Sequence, residues 1–297
     1  MAIFHMSAQT ITRSKGHSSV AAAAYRHGEK LMDEHSGEIH DYSKKKGISD
    51  SMILIPESAD RNFLKPAYLW NTIEKSEKRK DAQLAREFNI ALPVEMTDEQ
   101  KKVLAIDFCQ EHFVKNGMIA DIAFHKLDSD NPHFHVMLTT RRLTPDGAGF
   151  GQKERKWNDK ELLEQWRKSW ADTANEHMQK AGIDAHIDHR SLKEQKAEFD
   201  AILPPLRTVE QEAQAISLDR PPTIHRGHSR NPERQARFDV LQEVKVSQEA
   251  KALNHIEQKQ LKPSPLAPAS SPAASLQDAT QGGNENNPQN RLGEVGE

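Results

Sequence analysis

Residues 118–126 and 133–140 each alternate in side-chain character, and residues 127–132 between them carry turn chemistry. Met118, Ala120, Ile122 and Phe124 fall on one side of the first segment, with Ile119, Asp121, Ala123 and His125 on the other. In the second segment Phe134, Val136 and Leu138 oppose His133, His135, Met137 and Thr139. Side chains along a strand repeat every two residues, so the pattern predicts a β-hairpin with one apolar face. A turn centred near Ser129 sets His125 across from His133 and diagonal to His135. Cross-strand Cβ atoms lie about 5 Å apart and diagonal ones about 7 Å, close enough for three imidazoles to converge on one divalent cation. Three ligands with an open side suit a catalytic metal rather than a structural one. A His-x-His pair alone says little in a chain with 15 histidines. The shared face, and the lack of a cysteine nearby, give this trio its meaning.

The remaining periodicities supply a scaffold. Phe4, Met6 and Ala8 oppose His5, Ser7 and Gln9 in an opening strand, which residues 13–17 break. Ser18 or Ser19 can cap an alanine-rich helix expected to run to about Met32. Residues 38–42 and 52–55 read as short strands joined by a polar loop, and helical patterning follows over 66–83. The strand Arg86–Leu92 points Phe88, Ile90 and Leu92 inward and Glu87 and Asn89 outward. Thr97-Asp-Glu-Gln100 is a capping box opening a helix that stops near Gly117. A further long helix, after Asn158, carries the apolar stripe Leu162, Trp166, Trp170 and Ala174 and ends near Gly182. Together these predict an α+β domain over residues 1–195, with an antiparallel sheet, helices packed on one face and the histidines, Glu87 and Asn89 on the other. Residues 196–261 read as a charged helical extension. Residues 262–297, rich in Pro, Ala, Ser, Gln, Asn and Gly, read as a disordered tail.

Bulk properties narrow the setting. The only cysteine, Cys109, rules out a disulfide scaffold and fits a reducing compartment, so a cytoplasmic location is expected. No apolar run is long enough for stable membrane insertion, and the first residues lack the basic and apolar stretches of a secretion signal. A net charge of −3 singles out no partner. Nucleic-acid binders usually carry a basic excess, so local clusters such as Lys44-Lys45-Lys46 and Arg141-Arg142 matter only if they gather around a site.

A three-histidine metal centre can hold hydroxide for hydrolysis, or a phosphodiester oxygen while a side chain attacks. The second task needs a nucleophile. Tyr25, one of three tyrosines, follows Ser18-Ser-Val-Ala-Ala-Ala-Ala24, whose small side chains would let a polymer approach the phenol. The residues alone leave a second reading open, in which the alanine helix packs on the sheet and Tyr25 caps the core.

Five segments occur in a telling order: Met1-Ala-Ile-Phe-His-Met-Ser-Ala8, the Ser18–Tyr25 helix, Arg86–Pro93, Asn131-Pro-His-Phe-His135 and Ile187-Asp-His-Arg-Ser191. Together, over about residues 1–192, they resemble the MobA/MobL family of plasmid mobilisation relaxases, within the histidine-hydrophobe-histidine endonuclease group. The resemblance implies a five-stranded antiparallel sheet. It implies strand-specific nicking and rejoining at a plasmid transfer origin through a 5′-phosphotyrosine intermediate, with Tyr25 as nucleophile. It also implies His125, His133 and His135 as ligands of Mg²⁺ or Mn²⁺, with Glu87 beside the tyrosine and Asn89 where some relatives carry a second acid. Single-stranded origin DNA is the implied substrate; accessory relaxosome proteins and a secretion coupling protein are the implied partners.

Chemistry leaves several roles to be settled. Three neutral imidazoles ordinarily favour zinc-like ions over magnesium. A phenol is protonated at neutral pH, so attack needs help, and Glu87 could act as base or simply steer the ring. Arg13, Lys15, Arg141 and Arg142 are candidates for phosphate contacts. Asp188, beside His189, could support a metal ligand or only close the sheet edge. The competing functions are a rolling-circle replication initiator of the same chemistry, a metal-dependent hydrolase with a structural Tyr25, and a non-catalytic DNA-binding accessory protein. The initiators typically place their histidine pair before the tyrosine; here the tyrosine comes first.

Overall fold

The computed structural model describes residues 3–224 and 231–261. The tail expected to be disordered, 262–297, lies outside them. The chain divides into two compact units, Met1–Ser191 and Leu192–Glu297.

In the first unit, β1 (Met6–Thr12) leads to α1 (Ser19–His27). Ser18 caps this helix by accepting from the Ala21 N–H. Gly28 ends it in the left-handed region at φ +67°, where an added Cβ would also stand 2.4 Å from Ile48 Cδ1. The helix therefore stops short of Met32. Lys30–Met32 instead forms β2, paired antiparallel with β3 (Ile39–Asp41). β4 (Ile48–Leu54) begins earlier than the expected strand, and α2 (Pro66–Ser76) is shorter than the expected helix, ending at an extended Glu77 ahead of β5 (Gln83–Ala91). α3 (Asp98–Cys109) opens with the Thr97 capping box and runs into a wider turn, Gln110–Val114. The histidine hairpin is β6 (Ala120–His125) and β7 (His133–Leu138). A small hairpin follows, β8 (Arg141–Leu143) and β9 (Phe150–Lys153), which periodicity did not register. α4 (Lys160–Lys180) carries the expected tryptophan stripe.

The strands β1, β4, β5, β6 and β7 form one five-stranded antiparallel sheet in the order β1-β5-β7-β6-β4. Its alternation gives two unlike faces. Phe88, Ile90, Ile122, Phe124, Phe134 and Val136 are fully buried against Leu104 and Phe108 of α3 and Trp166 and Trp170 of α4. Each large side chain buried in this way contributes about 1.5–3 kcal/mol. Helices also roof part of the opposite face. There α1 and α2 place Val20, Ala23, Ala24, Leu69, Trp70 and Ile73 over Ile53, Ala85, Ile119 and Met137. The histidine end of that face lies beyond this second core.

The second unit contains α5 (Leu192–Asp200), α6 (Val209–Leu218) and α7 (Pro232–Leu261). Its buried residues, among those described, are the alanines Ala213, Ala215 and Ala252, and a His255–Glu212 contact at 2.7 Å ties α7 to α6. Among the described residues, no helix is long and apolar enough to cross a membrane.

Candidate active site

The hairpin register pairs His125 directly with His133, and His135 with Ala123. Ring centroids lie 5.5 Å apart for His125 and His133, 5.0 Å for His125 and His135, and 5.4 Å for His133 and His135. One nitrogen from each ring falls within 4.8 Å of the other two. Each imidazole also has one nitrogen near an acceptor oxygen. His125 Nε2 is 3.2 Å from the Arg26 carbonyl, His133 Nδ1 is 2.8 Å from the Asn131 carbonyl and His135 Nδ1 is 2.8 Å from Glu87 Oε1. Such partners orient the rings. Burial first, then the neighbouring histidines and Lys45, lowers the His125 pKa to about 3. Burial also lowers that of His135, against the pull of Glu87. Three imidazole nitrogens gathered this closely on one face fit a divalent cation.

Glu87 is the organising anion. On β5 it stands opposite Gln9 of β1 and diagonal to His135 of β7. Although almost fully buried, it receives Arg26 Nε and a second Arg26 nitrogen at 2.5 and 2.7 Å, Gln9 Nε2 at 2.6 Å and His135 Nδ1 at 2.8 Å. Burial opposes ionisation, but the bonds from His135 and Arg26 overcome it and hold the pKa at about 2. A carboxylate held this firmly is a poor acceptor for a phenolic proton at neutral pH. It is well suited to orienting His135.

Tyr25 does not cap the core. The buried stripe of α1 is Val20, Ala23, Ala24 and His27, whereas Tyr25 lies off it and is 44% exposed. Its ring meets Tyr42 edge to face at 5.2 Å, and Lys45 Nζ stands 3.4 Å from the ring centroid while donating to the Tyr25 carbonyl at 2.7 Å. The two residues after it fasten the helix to the sheet. Arg26 grips Glu87, and His27 Nε2 lies 2.5 Å from Asp121 Oδ1, whose other oxygen accepts from Trp70 Nε1 at 2.6 Å. A groove of about 360 Å³ runs between β1 and α1 beside Glu87, lined by Gln9, Gly16, His17, Ala21 and Ala22. The small side chains do leave space along the helix. A larger concavity, about 710 Å³, sits at the end of α4 among Asp172, Glu176 and Asp184; its charge is wrong for phosphate.

Other candidates take different roles. Arg13 donates to Glu74 Oε2 at 2.6 Å and to the Glu77 and Arg79 carbonyls, so its guanidinium is a strut between β1 and α2 rather than a phosphate contact. Arg141 is likewise engaged by Glu77 and the Gly151 carbonyl. Arg142 pairs with Glu154 on the surface, and Lys15 is exposed. Asp188 binds Arg190 at 2.7 Å, in a segment whose Ile187 joins the α4 side of the sheet. Within the histidine trio it is Glu87 that meets a ring, at His135, whereas Asp188 pairs with Arg190. Arg26 and His27 escaped sequence reasoning, and Lys45 entered it only as one of a basic cluster. For His27 the available signal was Asp121, an acid on the histidine face of an otherwise apolar strand, which must find a buried partner.

A family model described as the MobA/MobL family matches residues 17–202. The conjugal transfer protein TraA of Agrobacterium fabrum is 33% identical over 86% of this chain, but that match covers only 24% of TraA. The mobilization protein A of Escherichia coli is 34% identical over 74% of this chain and 32% of its own length. The chain thus spans about a quarter to a third of these relatives. A solved structure described as "Molecular Basis of Vancomycin Resistance Transfer in Staphylococcus aureus" is 33% identical with a TM-score of 0.61, covering 64% of this chain and all of that one.

Proposed function

Because the chain belongs to the MobA/MobL family, we propose that it nicks and rejoins one DNA strand at a plasmid transfer origin, initiating conjugative mobilisation in the cytoplasm. One observation carries the reading. Arg26, next to the exposed Tyr25, presents its carbonyl to His125 and its guanidinium to the carboxylate that holds His135. Nucleophile and histidine trio are therefore joined by a single residue.

His125, His133 and His135 would hold a divalent cation, Mg²⁺ or Mn²⁺, which when bound neutralises and aligns the scissile phosphate. Glu87 keeps the His135 ring in place. Tyr25 Oη attacks phosphorus, losing its proton to water, and the P–O3′ bond breaks with O3′ taking up a proton. The chain stays joined to the 5′ phosphate. A phosphotyrosine retains the energy of the broken bond, so the reaction can be reversed to rejoin ends, which hydrolysis cannot do. Positioning and charge neutralisation dominate such phosphoryl transfer. In this reading, as the family resemblance implies, accessory DNA-binding proteins and a membrane coupling protein would complete the assembly.

The test is incubation with Mn²⁺ and single-stranded oligonucleotides tiled across the replicon that encodes the chain, followed by a denaturing gel. A protein–DNA adduct formed by the wild type and missing in Tyr25→Phe is the expected result. Cleavage without any adduct would mean a hydrolase, and binding without cleavage an accessory protein.

A further inference from the structure

The relaxase reading uses the histidines, Glu87 and Tyr25, but the half-buried Lys45 has no part in it. Lys45 sits between exposed Lys44 and Lys46 in the loop leading from β3 to β4. That loop is tied at both ends. The Tyr42 N–H donates to the Glu29 carbonyl at 3.1 Å, the Lys45 N–H to Tyr42 at 2.9 Å and the Lys126 N–H to Gly47 at 3.1 Å. It therefore bridges the end of the tyrosine helix and the residue that follows His125. Gly47 lies in the left-handed region at φ +84°, and an added Cβ there would contact the Lys126 side chain at 3.7 Å. The loop has a defined path that delivers Nζ to one place.

That place is the face of the Tyr25 ring. Nζ stands 3.4 Å from the centroid, with one N–H directed to the Tyr25 carbonyl at 2.7 Å. An ammonium over a neutral phenol gains a modest cation–π attraction. Once the phenol takes on phenolate character, negative charge spreads into that ring and the attraction grows. An interaction that strengthens along the reaction coordinate is what accelerates a step. The Lys45 charge is also felt by Glu87, His125 and His135, which locates it inside the site.

We propose that Lys45 is a catalytic residue whose ammonium stabilises the negative charge developing on Tyr25 as its oxygen bonds to phosphorus. The proposal rests on the relaxase reading above. No proton moves to or from Lys45. The phenolic proton passes to water, the Oη–P bond forms, the P–O3′ bond breaks and O3′ is protonated by water.

The experiment compares wild type, Lys45→Met and Lys45→Arg in the full chain, using the oligonucleotide on which the wild type forms its adduct. Methionine keeps an unbranched stem over the ring without the charge, and arginine restores charge; Lys45→Gln replaces the methionine variant if that one fails to fold. DNA affinity is read by fluorescence anisotropy without metal, and the single-turnover rate by adduct formation with Mn²⁺. Loss of one preorganised charge predicts an adduct rate about 100-fold lower in Lys45→Met. Affinity should stay within about threefold of wild type, the pattern of an interaction made only in the transition state. Lys45→Arg should recover most of the rate. A neutral variant as fast as wild type overturns the proposal, as does a rate loss matched by lost affinity or an arginine variant no better than methionine. A wild type that forms no adduct overturns the relaxase reading itself, and this proposal with it.

Discussion

His135 Nδ1 donates to Glu87 Oε1 at 2.8 Å from a diagonal position across β7 and β5. The bond ties a metal-binding candidate to the same carboxylate that clamps Arg26 and, through it, the helix of Tyr25. One buried anion thus sets the orientation of two elements more than a hundred residues apart in sequence.

Glu87→Gln should weaken Mn²⁺ binding about 10- to 100-fold, the usual consequence of losing the partner of a ligating histidine. It should also lower stability by roughly 2–3 kcal/mol, because Arg26 keeps its charge without a counter-ion. Calorimetric titration and urea unfolding measure the two effects. An unchanged metal affinity would remove Glu87 from the site.

Acid sensitivity should follow from His125. Its folded-state pKa, about 3, lies below the ordinary 6.5, so on acidification the unfolded chain takes up this proton first. Metal-free protein therefore loses stability as pH falls from 6.5 toward 3, with a slope for this one group that reaches at most about 1.4 kcal/mol per pH unit midway. His135 acts in the same direction. Urea unfolding of wild type and His125→Gln over that range should show a shallower slope in the variant. Parallel slopes would contradict the assignment.

Metal loading should stabilise the folded chain. At a concentration about 100 times Kd, a cation that binds only the native state adds about 2.7 kcal/mol. For a unit of this size that raises Tm by roughly 5–10 °C. Differential scanning fluorimetry with Mn²⁺ should record the shift in wild type, its reversal by a chelator and its loss in His135→Ala. A wild-type Tm indifferent to Mn²⁺ would count against a metal centre.

Asp121→Ala should be among the most damaging single changes outside the histidines. It strips the acceptor from both His27 and Trp70 Nε1, all three being buried. Breaking such a buried polar pair costs about 3–5 kcal/mol, whereas Asp121→Asn, which retains an oxygen for Trp70, should lose less. Chemical denaturation followed by tryptophan fluorescence separates the two; equal and small losses would show that the network is not structural.

Some of this was legible in the residues and some was not, for identifiable reasons. The hairpin register and the Thr97 capping box are local, and strand alternation or a four-residue motif specifies them without knowledge of the rest. The early end of α1 was written in Gly28, but Leu31 and Met32 kept a helical apolar spacing that concealed it. Partnerships between distant residues left no trace: Arg26 and Glu87 are 61 positions apart. A lone arginine reads the same whether it faces phosphate or a buried acid, and only the positions of Glu74 and Glu77 show that Arg13 and Arg141 are internal. Lys45 was visible as one of three lysines in a row, with nothing to single it out until the loop was placed.

The anchoring of Arg26 to β5 and of His27 to β6 also has a mechanical side. A DNA strand held covalently on Tyr25 while its far end is drawn away would load the last turn of α1. Tension entering at residue 25 is handed within two residues to the middle of the sheet, across its hydrogen-bond ladders, instead of peeling the helix from its end. Under the proposed function, holding a moving strand and later resealing it would benefit from a tether whose footing does not yield.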